Sequence, residues 1–203
     1  MLASAYVLKG DYKQAEILFL RAQSIFERTV GRDHLYMGSC LANLGYIYYI
    51  QGDYTEAARA YQQSLTIHEQ KFGSISSRGS FIMNMLGATS FQQKRYHQAE
   101  IYYNKALEFF DNSSETDVFH TIYSLIGLAE LYLVQDHKIR AQRALQRAVS
   151  LSGNSDQIDE VNYAVIAHFT SLLGNQLTSQ GRVARAQIFY IRAEVMRKRI
   201  SDG

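Results

Sequence analysis

The 203-residue chain contains no proline and a single cysteine, Cys40. Without proline, nothing removes an amide donor from inside a helix, so long uninterrupted helices joined by short connections are permitted throughout. One cysteine excludes an internal disulfide and suits a reducing compartment, so a cytoplasmic location is expected. No apolar run reaches the ~20 residues of a membrane-spanning helix. The stretch from Met1 to Gly10 has no basic leader ahead of an apolar segment, which argues against a secretory signal. There is no glycine-rich phosphate loop and no Gly-x-Ser-x-Gly elbow. The histidines, at 34, 68, 97, 120, 137 and 168, show no paired ligand spacing. No enzyme activity, metal or cofactor is therefore expected.

What is present is regular. Hydrophobic residues make up 47% and charged residues 20%, the balance of a folded chain. Ala15, Ala57, Ala99 and Ala141 follow one another at 42 residues, and Ala186 comes 45 later. Self-similarity at a fixed period marks a stacked repeat architecture. With the alanines in register, further columns align. Twelve residues upstream sit Ala3, Gly45, Gly87, Ala129 and Gly174, all small. Nine upstream sit Tyr6, Tyr48, Ser90, Tyr132 and Leu177. Four downstream come Phe19, Tyr61, Tyr103, Leu145 and Tyr190, and seven downstream Ala22, Ser64, Ala106, Ala148 and Ala193. Offsets of three, four and seven share one helical face, so each unit carries a packed stripe on both of its helices. A small residue within such a stripe admits close approach of a neighbouring helix.

A turn separates the two helices. It reads Gly10-Asp11-Tyr12 and Gly52-Asp53-Tyr54, with glycine suited to a left-handed helix end and aspartate to the next N-cap. Gln14 and Glu56 are placed to complete capping boxes. Later units loosen the motif to Lys94-Arg95-Tyr96, Asp136-His137-Lys138 and Gly181-Arg182-Val183.

The order small residue, tyrosine, Gly-x-Tyr turn, alanine, aromatic, alanine resembles the tetratricopeptide repeat. The 42-residue period, with Gly31-Arg32-Asp33-His34 leading into Leu41-Ala42-Asn43-Leu44-Gly45, is similar to the longer repeats of the kinesin light chain type. Leu35 stands where that family usually has proline. The resemblance implies an all-α, right-handed superhelical solenoid of about four and a half repeats forming a single domain. Units are expected at roughly 1–30 (partial), 34–72, 76–111, 115–152 and 156–201. Helices are expected near 1–9, 12–29, 34–51, 54–71, 76–92, 96–110, 115–134, 138–151, 156–179 and 183–200. The first unit is incomplete and no polar helix seals the last, so either the chain is part of something longer or a partner covers an end.

In this family the first helix of each unit lines a concave groove, which implies a protein-binding scaffold. The groove residues expected here include Asn43, Tyr46, Tyr49, Phe81, Asn84, Met85, Phe91, Tyr123, Glu130 and Asn175. Aromatic and aliphatic groups dominate, as at an interaction site, and an amide side chain can hold the backbone of an extended peptide. Lysine and arginine are missing from the set, which disfavours capture of a carboxylate tail. A neutral or apolar peptide, or a partner helix, is the expected ligand; self-association through open ends is a further expectation. The plainer alternative makes several of these aromatics core.

Charge is uneven. Residues 1–137 hold 11 basic and 14 acidic side chains; residues 138–203 hold 10 and 5. Arg140, Arg143 and Arg147 share a helix face, with Arg182, Arg185, Arg192 and Arg197-Lys198-Arg199 beyond. A solvated convex face explains them better than a phosphate-binding stripe, so nucleic-acid binding is disfavoured. The functional alternative to an adaptor is the sensory segment of a larger signalling or transcriptional regulator.

Overall fold

The computed structural model describes residues 2–73, 76–112 and 118–152. Among them are eight α-helices and no strand: α1 (Leu2–Leu8), α2 (Tyr12–Thr29), α3 (Leu35–Gln51), α4 (Tyr54–Phe72), α5 (Ser77–Gln92), α6 (Tyr96–Asn112), α7 (Val118–Val134) and α8 (Lys138–Ser152). Each expected helix in this range is found, with ends displaced by at most three residues. The helices expected near 156–179 and 183–200, with Ala186 and Asn175, lie outside the described residues. The chain divides into two compact units, Met1–Phe109 and Phe110–Gly203. The first holds α1 to α5 and most of α6; the second holds the end of α6 with α7 and α8.

The alanine ladder is the innermost layer. Ala15, Ala57, Ala99 and Ala141 each have 0% exposure, so the column marks the line along which helices meet. In the first unit the small residue of each first helix seats the ring of its partner. A Cβ added at Gly45 would lie 2.9 Å from the Tyr61 ring, and one at Gly87 would lie 2.8 Å from the Tyr103 ring. Glycine is required because a ring already fills the space of a side chain. Where the ring column holds Phe19 or Leu145 instead of tyrosine, the small residue is alanine, at Ala3 and Ala129. Around Ala15, the core of the first hairpin gathers Phe19, Cys40, Leu44 and Ile47. In the second unit Ile122, Leu125, Leu131, Leu145 and Ala148 are buried, and Phe110 stacks on His120 at 5.4 Å.

The turns are more regular in backbone than in sequence. Gly10 and Gly52 are left-handed, at φ 76° and 83°, and so are their register equivalents Lys94 and Asp136, at 60° and 58°. All four turns close with the same two bonds. The Gly52 amide donates to the Tyr49 carbonyl and the Asp53 amide to Tyr48; Lys94 and Arg95 donate likewise to Phe91 and Ser90, and Asp136 and His137 to Leu133 and Tyr132. This is the Schellman closure of a helix C-terminus. It corrects one expectation. At residues 94–96 and 136–138 the sequence motif loosens as read, but the backbone bonds hold the left-handed residue even without glycine; the turn at 181–183 lies outside the described residues. The capping boxes form by half: Asp53 Oδ1 accepts from the Glu56 amide at 3.2 Å, and Asp11 from Gln14 in the same way. The reciprocal half is missing because the Asp53 amide is spent on Tyr48 and the Glu56 carboxylate turns to Arg59.

His34 replaces a hydroxyl or carboxylate as N-cap of α3, its Nδ1 accepting from the Tyr36 amide at 3.1 Å.

Candidate functional site

Helix α3 buries Met37, Cys40, Leu41, Leu44 and Ile47 and leaves Tyr46 and Ile50 exposed, by 37% and 43%. Ser39, Asn43, Tyr46 and Ile50 follow at offsets of four, three and four, so they form one stripe. Forty-two residues on, the same stripe of α5 reads Phe81, Met85, Ala88 and Gln92. Phe81 and Met85 are half-buried and Gln92 is exposed, while Ala88 is buried. Helices α3 and α5 are neighbours within the first unit, so the two stripes run side by side. In the second unit α7 presents half-buried Tyr123 with exposed Glu130 and Val134.

The expected residues therefore sort into distinct situations. Tyr46 is the most open of the expected aromatics; its ring meets the edge of Tyr12 at 6.4 Å. Partial burial, with Tyr12 beside it, raises its phenol pKa above the usual value, so it stays a neutral donor. Tyr49 and Phe91 share a different column and close the turns, edge-on to Tyr54 at 5.6 Å and tilted on Tyr96 at 5.7 Å. Much of their apolar surface is spent there. Asn43 donates Nδ2 to the Ser39 carbonyl at 2.8 Å, which commits one amide hydrogen to its own helix. Asn84 has 0% exposure and cannot meet a ligand.

That last point corrects the picture of recurring groove asparagines. Asn43 lies 14 residues before its ladder alanine and Asn84 lies 15 before. One residue of offset turns a helical side chain by about 100°, so the two cannot share a face. Asn175 falls outside the described residues.

Two features escaped the sequence. His68 is buried, and neither ring nitrogen has a hydrogen-bond partner. Its imidazole stacks on Phe72 at 6.2 Å. Burial, with the Arg78 charge adding, pushes its pKa below the usual histidine value. The only hint was its column, which holds phenylalanine in the units on either side, at Phe26 and Phe110. The second feature is an apolar cleft of ≈ 330 Å³ between α1, α2 and α3, lined among others by Ala22, Phe26, Tyr36 and Cys40. On α8, Arg140 covers the Tyr132 ring at 5.7 Å, and Arg143 and Arg147 are exposed. No described helix is long and apolar enough to cross a membrane.

A sequence profile of the tetratricopeptide repeat matches residues 1–70 and 80–152. No curated protein sequence matches the chain. Among solved structures, BtubC (BKLC) from P. vanneervenii superposes with a TM-score of 0.83 at 24% identity, over 98% of this chain and 78% of that one. Kinesin light chain-type TPR-like repeats from Podosopora anserina give 0.77 at 15% identity, over 100% and 94%. The apo form of RapI gives 0.64 at 18% identity, over 99% of this chain and 51% of RapI. At these identities the likeness establishes a fold, an all-α helical solenoid.

Proposed function

The chain belongs to the tetratricopeptide-repeat family, whose members generally bind other proteins, and from that premise we propose that it is a non-enzymatic scaffold. Its ligand is a neutral or apolar peptide or helix, held along the first helices of the repeats. One observation carries this reading: Tyr46 and Ile50 stand exposed on the face of α3 opposite a well-filled core. Exposing a tyrosine and an isoleucine one turn apart leaves apolar area in water that a partner's apolar face would remove, at ~25 cal/mol per Å². Phe81 and Met85 continue the surface on α5; in the second unit, taken by itself, Tyr123 and Glu130 stand on α7 as an aromatic and a polar contact of the same kind. Asn84 is left out of the site. A cytoplasmic setting accords with the single buried thiol.

The test is affinity capture from the source cells with the wild type and with Tyr46→Lys/Ile50→Lys, both checked by circular dichroism. A partner retained by the first and lost from the second supports the reading. An identical captured set from two equally folded proteins would sink it. A second reading is the sensory segment of a larger regulator; the chain superposes on 51% of the length of RapI, so a fold of this kind also occurs as part of a longer protein.

A further inference from the structure

The seam between α3 and α4 holds an ionisable ring at a position where the units on either side hold phenylalanine. Seven, ten and eleven residues after the ladder alanine, α4 places Ser64, Ile67 and His68, all buried. The register equivalents of His68 are Phe26 on α2 and Phe110 on α6. The first half of α3 covers this face of α4. Ser64 Oγ donates to the Gly38 carbonyl at 2.7 Å. A Cβ at Gly38 would lie 3.2 Å from Ile67 and 3.3 Å from Nε2 of His68. Met37 and Leu41 pack on Ile67. The seam therefore closes over two ring nitrogens that have no hydrogen-bond partner among the described residues.

Nothing around the ring would stabilise a charge on it. Helix α3 faces it with Gly38, between Met37 and Leu41. Along α4, Ser64 and Phe72 lie one turn away, and the Phe72 ring stacks on the imidazole at 6.2 Å. None of these five side chains carries a negative charge. The charged group that acts on it from α5 is Arg78, of the wrong sign. Lys71, also one turn along α4, is positive and exposed. The Glu69 carboxylate acts on Tyr102 of α6. His34, at the start of α3, spends its Nδ1 on the Tyr36 amide. A proton on His68 must therefore be hydrated, because a buried charge without a partner is far costlier than a buried neutral ring.

The cover over the ring is the part of the seam that can lift. The first half of α3 contains Gly38, and a glycine inside a helix weakens it. It begins directly after a connection, so it can fray from its N-terminal end. The second half is held separately, with Leu44 and Ile47 in the core around Ala15.

We propose that the α3–α4 seam is an acid-operated latch: a proton taken up by His68 opens the first half of α3 locally, while the rest of the stack stays folded. The hairpins with Phe26 and Phe110 have no such latch. The device does not depend on what the Tyr46 and Ile50 stripe binds.

Cys40 reports the opening. It lies two residues beyond Gly38, and its buried thiol donates to the Phe19 carbonyl. The whole 203-residue chain is treated with a pyridyl disulfide that stays reactive in acid. Each rate is divided by that of free cysteine at the same pH. Between about pH 8 and about pH 5 this relative rate should rise about tenfold, since one proton taken up per opening shifts the equilibrium tenfold per pH unit. The circular dichroism spectrum should not change, and dilute urea should alter the acid rate little, because a local opening exposes little surface. His68→Phe should abolish the rise, and His68→Met, a flexible apolar chain in the same seam, should do so too. No rise in the wild type would overturn the proposal, as would an equal rise in both variants. An acid rate that climbs steeply with urea would also overturn it, because the thiol would then be exposed by unfolding of the whole stack.

Discussion

Replacing His68 with phenylalanine should stabilise the protein, and more so in acid. His68 buries two ring nitrogens without partners, and an unpaired buried polar group costs ~1–3 kcal/mol. Phenylalanine keeps the stacking on Phe72 and deletes both nitrogens. Its larger ring presses toward Gly38, the close neighbour of the imidazole, and a modest overpacking of ~1 kcal/mol offsets part of the gain. A net stabilisation of up to ~2 kcal/mol follows, worth roughly 2–4 °C in Tm per kcal/mol for a chain of this length. The pH dependence has a definite sign. The folded pKa lies below the ordinary 6.5, because burial disfavours the charged form. The unfolded chain therefore takes up the proton first. The contribution of neutral His68 is complete above pH 6.5 and is lost as pH falls below it toward the folded value. The chain has no tryptophan, so urea unfolding is followed by far-ultraviolet circular dichroism, at about pH 8 and about pH 5.5. The variant should have the higher midpoint at both, by a wider margin in acid. A lower midpoint at pH 8, or a margin that does not change with pH, would refute the reasoning.

Three further outcomes follow from the packing. Lys94→Gly and Asp136→Gly should each raise the urea midpoint, since a side chain at a left-handed position costs ~1–2 kcal/mol; an unchanged or lower midpoint would contradict the turn geometry. Gly45→Ala should destabilise, because overpacking against the Tyr61 ring at ~1–3 kcal/mol outweighs the ~1 kcal/mol gained in helix propensity. Adding Tyr61→Leu should recover part of the loss by recreating the Ala129/Leu145 combination, and simple additivity in a double-mutant cycle would disprove the pairing. Cys40 donates its thiol to the Phe19 carbonyl at 3.2 Å, and burial pushes its pKa up to about 11. A disulfide reagent at neutral pH should therefore modify it at a rate set by unfolding; modification as fast as that of free cysteine would count against it.

The core was legible because stacking repeats itself. The ladder alanines, the small residues at Gly45 and Gly87 and the rings at Tyr61 and Tyr103 are fixed by the same contact in successive hairpins, so their columns survive in the sequence. The surface follows no such rule. Asn84 looks like Asn43 in composition, yet its helix rotates it inward by one position. Phe91 looks like a groove aromatic, yet it packs on Tyr96 to close a turn. Lys94 and Asp136 hide a conserved backbone shape, because hydrogen bonds between main-chain atoms leave no mark on residue type. The unsatisfied nitrogens of His68 depend on what α3 places above it, which a spacing argument cannot supply.

The four Schellman turns have a consequence for how the chain comes into being. Each closes with bonds that span no more than six residues, so a turn is complete once its own short segment has left the ribosome. Nothing downstream is needed to set its direction. Local closures of this kind keep contact order low and favour rapid folding, and in a repeat array folding can nucleate in one hairpin and spread to its neighbour. Synthesis then delivers ordered hairpins in sequence, each presenting its apolar face as the template for the next.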